Sequence, residues 1–170
     1  MITDLGVGST NVALVPDSTY YGTLRCLIER SATNLFASVF IVDTNAHDDP
    51  DAKVLQVIRA LECAVWRGVE VRLLIGGSST HLAIAESCYI ARQVALSHGV
   101  DCRLLAGEQR NGSHAKFVIA DDCILSGSHN WSSRAFSNEV QDSVLIDSVP
   151  MAAYLKSVFN SQWDRAGDAV

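Results

Sequence analysis

Continuous apolar runs alternate with periodic apolar stripes along most of this chain. Residues 35–42 and 69–75 are unbroken apolar runs rich in β-branched side chains, which predict buried strands. Residues 51–67 instead place apolar side chains three or four positions apart, the spacing of one helix face. Strands that alternate with helices in this way indicate right-handed βαβ units.

The remaining elements follow from the same patterns and from turn residues. We predict, in order, a strand at 11–15, a helix from Asp17 or Ser18 to about Thr33, a helix ended by Gly99, a strand at 101–105, a hairpin of 114–120 and 123–127, a strand at 139–146, and a helix from Pro150 with Tyr154, Val158, Phe159 and Trp163 on its apolar face. The expected fold is one α/β domain over residues 1–170, with a mixed, largely parallel sheet flanked by helices on both faces.

Composition narrows the class of protein. The chain has 170 residues, of which 48% are hydrophobic and 19% charged, as in a compact globular domain. It has no apolar run of membrane-spanning length, and its first residues lack the features of a secretory signal. We therefore expect a cytoplasmic protein without stable membrane association. The five cysteines form no Cys-x-x-Cys pair and are expected to be reduced core residues.

Charge bears on the choice of partner. The net charge of −6 argues against broad attraction to nucleic acid, although a locally positive site could sit on an acidic body. Aspartates concentrate between Asp43 and Asp51, and with His47 they resemble a metal cluster. A solvated loop leading into a helix N-terminus, where carboxylates are favourable, is the interpretation that we adopt.

Residues 114–130 carry the candidate chemistry. His114 and Lys116 are two positions apart in a predicted strand, so their side chains share a face. The sequence Gly127-Ser128-His129-Asn130 follows the next strand and offers a close backbone approach, a hydroxyl and an amide. A nucleophile, a cation and neutral donors at one place are what cleavage of a phosphodiester needs.

This stretch resembles the His-x-Lys-x4-Asp signature of the phospholipase D superfamily, with His114, Lys116 and Asp121 at the signature positions. The resemblance implies that these three residues are catalytic. The Gly-Ser-x-Asn sequence and the downstream acid, here Glu139, follow in family order, and the resemblance extends over about residues 11–163. Five residues separate Asp121 from Gly127, one fewer than in the family pattern, so Asp121 and Asp122 are both candidates for the signature acid.

The resemblance implies a two-step reaction through a phosphohistidine, with His114 as nucleophile and no metal or other cofactor. A second histidine must protonate the leaving oxygen, because one histidine cannot stand on both sides of an in-line displacement. The chain has one copy of the motif, whereas long members carry two. The short members imply a homodimer in which His114 of each subunit faces a shared site.

The same resemblance suggests roles for the neighbouring residues. Lys116 and Asn130 would neutralise the phosphoryl oxygens, and Glu139 would accept a hydrogen bond from the second imidazole nitrogen of His114. Ser128 and His129 are candidate substrate contacts. The arginines near the motif, Arg103, Arg110 and Arg134, are candidate contacts to a nucleic-acid backbone.

Three functions remain open on the sequence alone. A metal-independent phosphodiesterase, acting as an endonuclease on DNA or RNA, is the function we favour, because short single-motif members are mostly nucleases. A phospholipase or phosphatidyltransferase would use the same residues on a lipid. A non-catalytic, nuclease-like binding module is the third alternative.

Overall fold

A computed structural model describes residues 10–44, 52–78, 80–105, 113–137 and 139–166. In chain order the elements are β1 (Asn11–Pro16), α1 (Asp17–Arg30), β2 (Asn34–Val39), α2 (Lys53–Trp66), β3 (Glu70–Ile75), α3 (Leu82–Ser97), β4 (Asp101–Leu104), β5 (Lys116–Ala120), β6 (Cys123–Gly127), β7 (Asp142–Asp147) and α4 (Val149–Arg165). No helix in these ranges is long and apolar enough to cross a membrane.

The strands form one mixed sheet in the order β1-β7-β6-β5-β2-β3-β4. The mixed α/β architecture is confirmed, but the sheet is not largely parallel. Only β2–β3 and β3–β4 pair in parallel, and the other four pairs are antiparallel. The reason is connectivity: a parallel pair needs a helical crossover, and β5 and β6 are joined by a tight turn.

Helices cover both faces of the sheet, as predicted. The helices α1, α2 and α3 pack on one face in a core that includes Leu35 and Ala37 of β2, and α4 packs on the other face against Phe36. Phe159 and Trp163 of α4 are buried as expected. Tyr154 is 51% exposed, so its prediction as part of the apolar face was wrong.

Several local expectations also need correction. The first helix begins at Asp17, as predicted, but ends at Arg30 rather than near Thr33, and its N-cap residue is Pro16, which supplies no side-chain hydrogen bond. Cys26 and Cys63 are exposed rather than in the core, whereas Cys88 and Cys102 are buried. Cys26 and Cys63 belong to helices, and an amphipathic helix buries only one side of its surface.

Five chain segments meet at one edge of the sheet. Strands β2 and β3 end there, at Val39 and Ile75, and β5 starts beside them because Lys116 pairs with Val39. Strand β6 ends at the same edge and β7 begins there, because Gly127 pairs with Ser143. This is the carboxyl edge of the parallel strands, where open α/β sheets usually bind ligands. We call it the site edge.

Candidate active site

His114 and Lys116 lie side by side at the site edge. His114 is exposed just before β5, and the Lys116 Nζ is 3.2 Å from its Nδ1 and 3.5 Å from its Nε2. Lys116 Nζ also donates to the His114 carbonyl oxygen at 2.9 Å. Burial lowers the pKa of the half-buried Lys116 from its ordinary value. An accessible imidazole therefore stands beside a fixed cation, on the shared face that strand alternation predicts.

The aromatic ring of Phe40 supports both side chains. It follows β2, and its ring centroid is 4.5 Å from that of His114. Lys116 Nζ lies 5.1 Å from the same ring centroid, within the range of a cation–π contact. Local pattern does not predict this role, because Phe40 belongs to the apolar run 35–42, which indicates a buried strand. The signal available was an aromatic residue where an apolar run gives way to a polar loop.

Gly76 lies directly against the chain segment that leads into His114. It follows β3, and a Cβ at this position would collide with the carbonyl oxygen of Ser113. Its amide donates to the Val39 carbonyl oxygen at 2.8 Å. The glycine therefore lets the chain that enters His114 run directly against the end of β3. The sequence places Gly76 just after the predicted strand 69–75, but local pattern does not reveal this close approach.

The Gly-Ser-x-Asn segment is held at the same edge by backbone contacts. A Cβ at Gly127 would collide with Ser143 Oγ and the Asp142 carbonyl oxygen, so only glycine fits between β6 and β7. Ser128 donates to the Asp142 carbonyl oxygen from its amide at 3.1 Å and its hydroxyl at 3.3 Å. Asn130 Oδ1 accepts from the Ile41 amide at 3.2 Å, next to Phe40, so its NH2 group is the part that can donate to a substrate.

Asp121, proposed as a catalytic residue, is at the opposite end of the hairpin. Seven positions separate it from His114, about 20 Å of extended strand. Its carboxylate accepts from the amides of Ala32, Thr33 and Asn34 at 2.8, 2.8 and 3.1 Å. The placement corrects the catalytic prediction, because a carboxylate so far from the imidazole cannot touch the reacting atoms.

The backbone also distinguishes the two candidate acids. Asp121 has φ +52°, a left-handed conformation that aspartate tolerates better than most residues. Partial burial alone would raise the pKa of Asp121, but the hydrogen bonds from the backbone of Ala32, Asn34 and Thr33 outweigh it and lower the pKa. The Asp121 carboxylate therefore joins the turn between β5 and β6 to the backbone of residues 32–34, whereas the side chain of Asp122 is exposed.

His129, proposed as a substrate contact, is only 1% exposed. Its ring stacks on Tyr20 and its two nitrogens face Ser143 and Asp17. That prediction was wrong, because the residue turns into the core between α1 and β7. Trp131, two positions further along the chain, is also fully buried.

Glu139 and Arg134 lie together in the segment before β7. Glu139 Oε2 accepts from Gln141 Nε2 at 3.1 Å, and its Oε1 is 3.5 Å from Arg134 Nε. The Arg134 side chain is 81% exposed. The structure therefore brings the two predicted residues to each other. An expected hydrogen bond between Glu139 and His114 stays a prediction.

The structure describes one of the other two arginines that were predicted to contact nucleic acid. Arg103 donates to the Trp163 carbonyl oxygen at 3.1 Å and lies over its indole at 4.6 Å, so it is engaged with α4. Arg110 lies outside the described residues, as does the cluster of His47, Asp48, Asp49 and Asp51. Within the described ranges, no group of three or more His, Cys, Asp or Glu side chains could hold a metal ion.

Comparison with known proteins decides the family. A family profile described as "Cardiolipin synthase, PLD-like domain" matches residues 24–163, which include His114, Lys116 and the Gly-Ser-x-Asn segment. The chain belongs to the phospholipase D superfamily. This superfamily acts on phosphodiester bonds, which is the chemistry that the site residues suggested. Among curated proteins, none matches this sequence significantly.

Solved structures of other proteins share the fold, and one of them, Nuc, is described as a phospholipase D family member. Nuc from Salmonella typhimurium is 19% identical, with a TM-score of 0.71 over 92% of this chain and 95% of its own. NucT from Helicobacter pylori is 17% identical, with a TM-score of 0.68 over 92% and 98%. Phosphatidylserine synthase from Haemophilus influenzae Rd KW20 is 11% identical, with a TM-score of 0.67 over 89% of this chain and 36% of its own.

The phospholipase D site can therefore be described by its parts. It offers the exposed imidazole of His114 and the cation of Lys116 beside it. The loop that follows the neighbouring strand β6 adds the hydroxyl of Ser128 and the side-chain amide of Asn130. An imidazole nitrogen with a free lone pair is a nucleophile, and the cation and amide can stabilise charge on phosphoryl oxygens. The turn with Asp121 belongs to the scaffold.

Proposed function

We propose that this chain is a metal-independent phosphodiesterase that works through a phosphohistidine on His114. The observation that carries the proposal is an exposed His114 ring with Lys116 Nζ 3.2 Å from Nδ1 at the site edge. In the first step an imidazole nitrogen attacks phosphorus, the phosphorus–oxygen bond breaks, and a second histidine gives its proton to the leaving oxygen. In the second step that histidine deprotonates water, which attacks phosphorus and releases His114.

Lys116, Asn130 and Ser128 would stabilise the phosphoryl oxygens during both steps. Lys116 supplies a cation whose position is set by the His114 carbonyl oxygen and by Phe40. Asn130 supplies a neutral donor, its NH2 group, from the loop after β6. The Ser128 hydroxyl donates to the Asp142 carbonyl oxygen and would have to turn from it to reach a phosphoryl oxygen. We also propose that Glu139 accepts a hydrogen bond from the second nitrogen of His114, which would stabilise the imidazolium.

A homodimer with a shared site would provide the second histidine. Among the described histidines, His98 is 3.0 Å from Glu62 and His129 is buried, so neither is free to protonate a leaving group. His81, the N-cap residue of α3, is the remaining candidate among the histidines that the structure describes. His114 is exposed, so the His114 of a partner subunit could approach the same phosphorus atom from the opposite side.

Mixed dimers test the shared site. Wild-type and His114→Ala chains with different tags would be co-expressed in known ratios. If both imidazoles serve one phosphorus atom, activity follows the square of the wild-type fraction. A linear dependence, or loss of activity in His81→Gln, would show that each chain works alone and would remove the dimer mechanism.

Nucleic acid is the substrate class that we favour. The support is the resemblance to the single-motif members of the superfamily, which are mostly nucleases, together with the fold likeness to Nuc and NucT over 95% and 98% of their own chains. The test is incubation of labelled DNA and RNA with the protein in excess EDTA across a salt series. We expect cleavage by the wild type and the control His98→Phe, and none by His114→Ala. No cleavage by the wild type at any salt concentration would remove the nuclease proposal.

A phospholipase or phosphatidyltransferase is the second candidate. The matched family is described as cardiolipin synthase, and a phosphatidylserine synthase shares the fold, which favours a lipid phosphodiester as the alternative. Release of a labelled headgroup from vesicles, sensitive to His114→Ala, would identify this activity. If neither substrate yields a trapped phosphorylated His114, the chain is a binding module.

A further inference from the structure

The side chain of His129 is a buried titratable group that the proposed reaction does not use. It stands between Ser128 and Asn130, yet it turns away from solvent and is 1% exposed. Its ring lies parallel to that of Tyr20, with centroids 3.7 Å apart and an interplanar angle of 1°. Nδ1 is 2.9 Å from Ser143 Oγ and Nε2 is 3.1 Å from Asp17 Oδ1. Both nitrogens and one ring face are therefore engaged.

These contacts fix the orientation of the ring. In the neutral form Nε2–H donates to Asp17, and Nδ1 accepts from the hydroxyl of Ser143; in the charged form both nitrogens donate. Ser143 is also the residue that a Cβ at Gly127 would strike. His129 therefore joins one side of the Gly-Ser-x-Asn segment to α1 through Asp17 and to β7 through Ser143. Gly127 packs closely against the same Ser143.

The other side of the segment is tied to the chain that follows β2. Asn130 Oδ1 accepts from the Ile41 amide at 3.2 Å, and Ile41 in turn accepts from the Trp131 amide at 3.0 Å. Ile41 adjoins Phe40, whose ring contacts His114. A shift of the segment would therefore move Asn130 relative to the imidazole that it is proposed to assist.

We infer that His129 is a positioning residue that holds Ser128 and Asn130 in place by joining their loop to Asp17 and Ser143. It acts through its neighbours and does not touch substrate. The kinetic part of this inference rests on the proposed phosphodiesterase activity, and its structural part does not. Displacement of a positioned group by about 1 Å can cost about 100-fold in rate, so such a tie matters for catalysis.

The first test separates the effect of the two His129 hydrogen bonds from the effect of the ring that packs on Tyr20. His129→Phe keeps an aromatic ring on Tyr20 and removes both hydrogen bonds. We expect kcat to fall about 10- to 100-fold with KM changed less than about threefold, because the loop moves and the bulk of the substrate still binds. His98→Phe removes a comparable histidine–carboxylate pair, with Glu62, outside the site and should leave kcat unchanged. Unchanged kcat in folded His129→Phe would overturn the inference.

The second test is rescue at Asp17. Asp17→Asn and Asp17→Ala both remove the charge at the start of α1, but asparagine keeps an oxygen that can accept from Nε2–H. We expect Asp17→Asn to retain near-wild-type kcat and Asp17→Ala to lose activity as His129→Phe does. Equal activity of the two variants would show that the hydrogen bond does not position the loop.

The third test needs no activity. Hydrogen exchange of the Ile41 amide reports whether Asn130 still accepts its hydrogen bond. We expect exchange about tenfold faster in His129→Phe and Asp17→Ala, and unchanged in Asp17→Asn and His98→Phe. If His129→Phe does not fold, Ser143→Ala removes one of the same hydrogen bonds and takes its place. Unchanged Ile41 protection in the folded variants would overturn the inference, even if the wild type cleaves no phosphodiester.

Discussion

The two ends of strand β5 illustrate different uses of one sequence signature. At the site edge, His114 is exposed, and its ring has only Lys116 and Phe40 as described contacts. At the other end, Asp121 accepts three backbone hydrogen bonds in a left-handed turn. Residues that react must stay accessible, whereas residues that hold a turn must be satisfied. The signature therefore spans strand β5. The proposed reactive residues His114 and Lys116 lie at one end of the strand, and Asp121, which holds the turn, lies at the other.

Loss of the nucleophile should have the largest effect on activity and almost none on stability. We expect His114→Ala to abolish cleavage, because it removes the imidazole on which the proposed phosphohistidine forms. Stability should change by less than about 0.5 kcal/mol, since the exposed ring is away from the buried core. Cleavage assays paired with denaturant unfolding measure both quantities. A large loss of stability would mean that His114 also stabilises the fold. The contrast between the two ends of β5 would then fail.

Lys116 should produce the next largest effect. Lys116→Ala should lower kcat about 10²- to 10³-fold, because it removes the cation beside the phosphoryl group. Lys156→Ala, which removes a lysine of α4, is the control and should be unaffected.

The pH profile gives the same residue a sharper test. Because burial lowers the pKa of Lys116, its positive charge is lost at a lower pH than that of an exposed lysine. Wild-type activity should therefore decline on the alkaline side below the ordinary lysine range. Lys116→Arg should be less active but should lack this decline, since arginine keeps its charge. An identical alkaline limb in both proteins would assign it to another group.

Asp121 should show the opposite division between activity and stability. We expect Asp121→Ala to cost about 1–2 kcal/mol of unfolding free energy, at the lower end for hydrogen bonds to a charged group because the carboxylate is partly exposed. The kcat of the folded fraction should be unchanged. The control Asp122→Ala should be near neutral. A selective loss of kcat at full stability would restore a catalytic role for Asp121.

Acid should reveal the same contribution. The folded-state pKa of Asp121 is lowered, so its stabilisation is present above the unfolded-state pKa and is lost as pH falls through the folded-state pKa. The stability difference between wild type and Asp121→Asn should therefore shrink below about pH 4, and unfolding measured across pH checks this.

Local pattern was sufficient for some of these features. Alternation in a strand places His114 beside Lys116, and apolar periodicity places the helices, because both depend on neighbours within a few residues. The order of Gly127, Ser128 and Asn130 after the hairpin likewise predicts their approach to the same edge. The mixed sheet follows from the alternation of strands and helices followed by closely spaced strands.

Other features depend on distant chain segments that local pattern does not reveal. Asp121 is recognised as structural only when residues 32–34 are brought against it, nearly ninety positions away. The burial of His129 depends on Tyr20 and Asp17, more than a hundred positions earlier. The excess of antiparallel pairs depends on which strand becomes the neighbour of β2. Tertiary contacts, not local propensity, decide all three.

Substitution of Phe40 should give the smallest effect. It tests whether His114 and Lys116 need the aromatic ring that contacts them. Phe40→Leu keeps an apolar side chain of similar size but removes the aromatic face under His114 and Lys116. Aromatic and cation–π contacts at part-exposed sites are worth about 0.5–1.5 kcal/mol, so the unfolding free energy should fall by no more than about that amount. The kcat should fall about two- to tenfold, because the His114 and Lys116 side chains are held less firmly. The alkaline limb assigned to Lys116 should move as well, because the ring is a neighbour of its cation. If kcat and the pH profile are both unchanged, His114 and Lys116 are held by the backbone of β5 alone, and the reactive end of the strand needs no aromatic support.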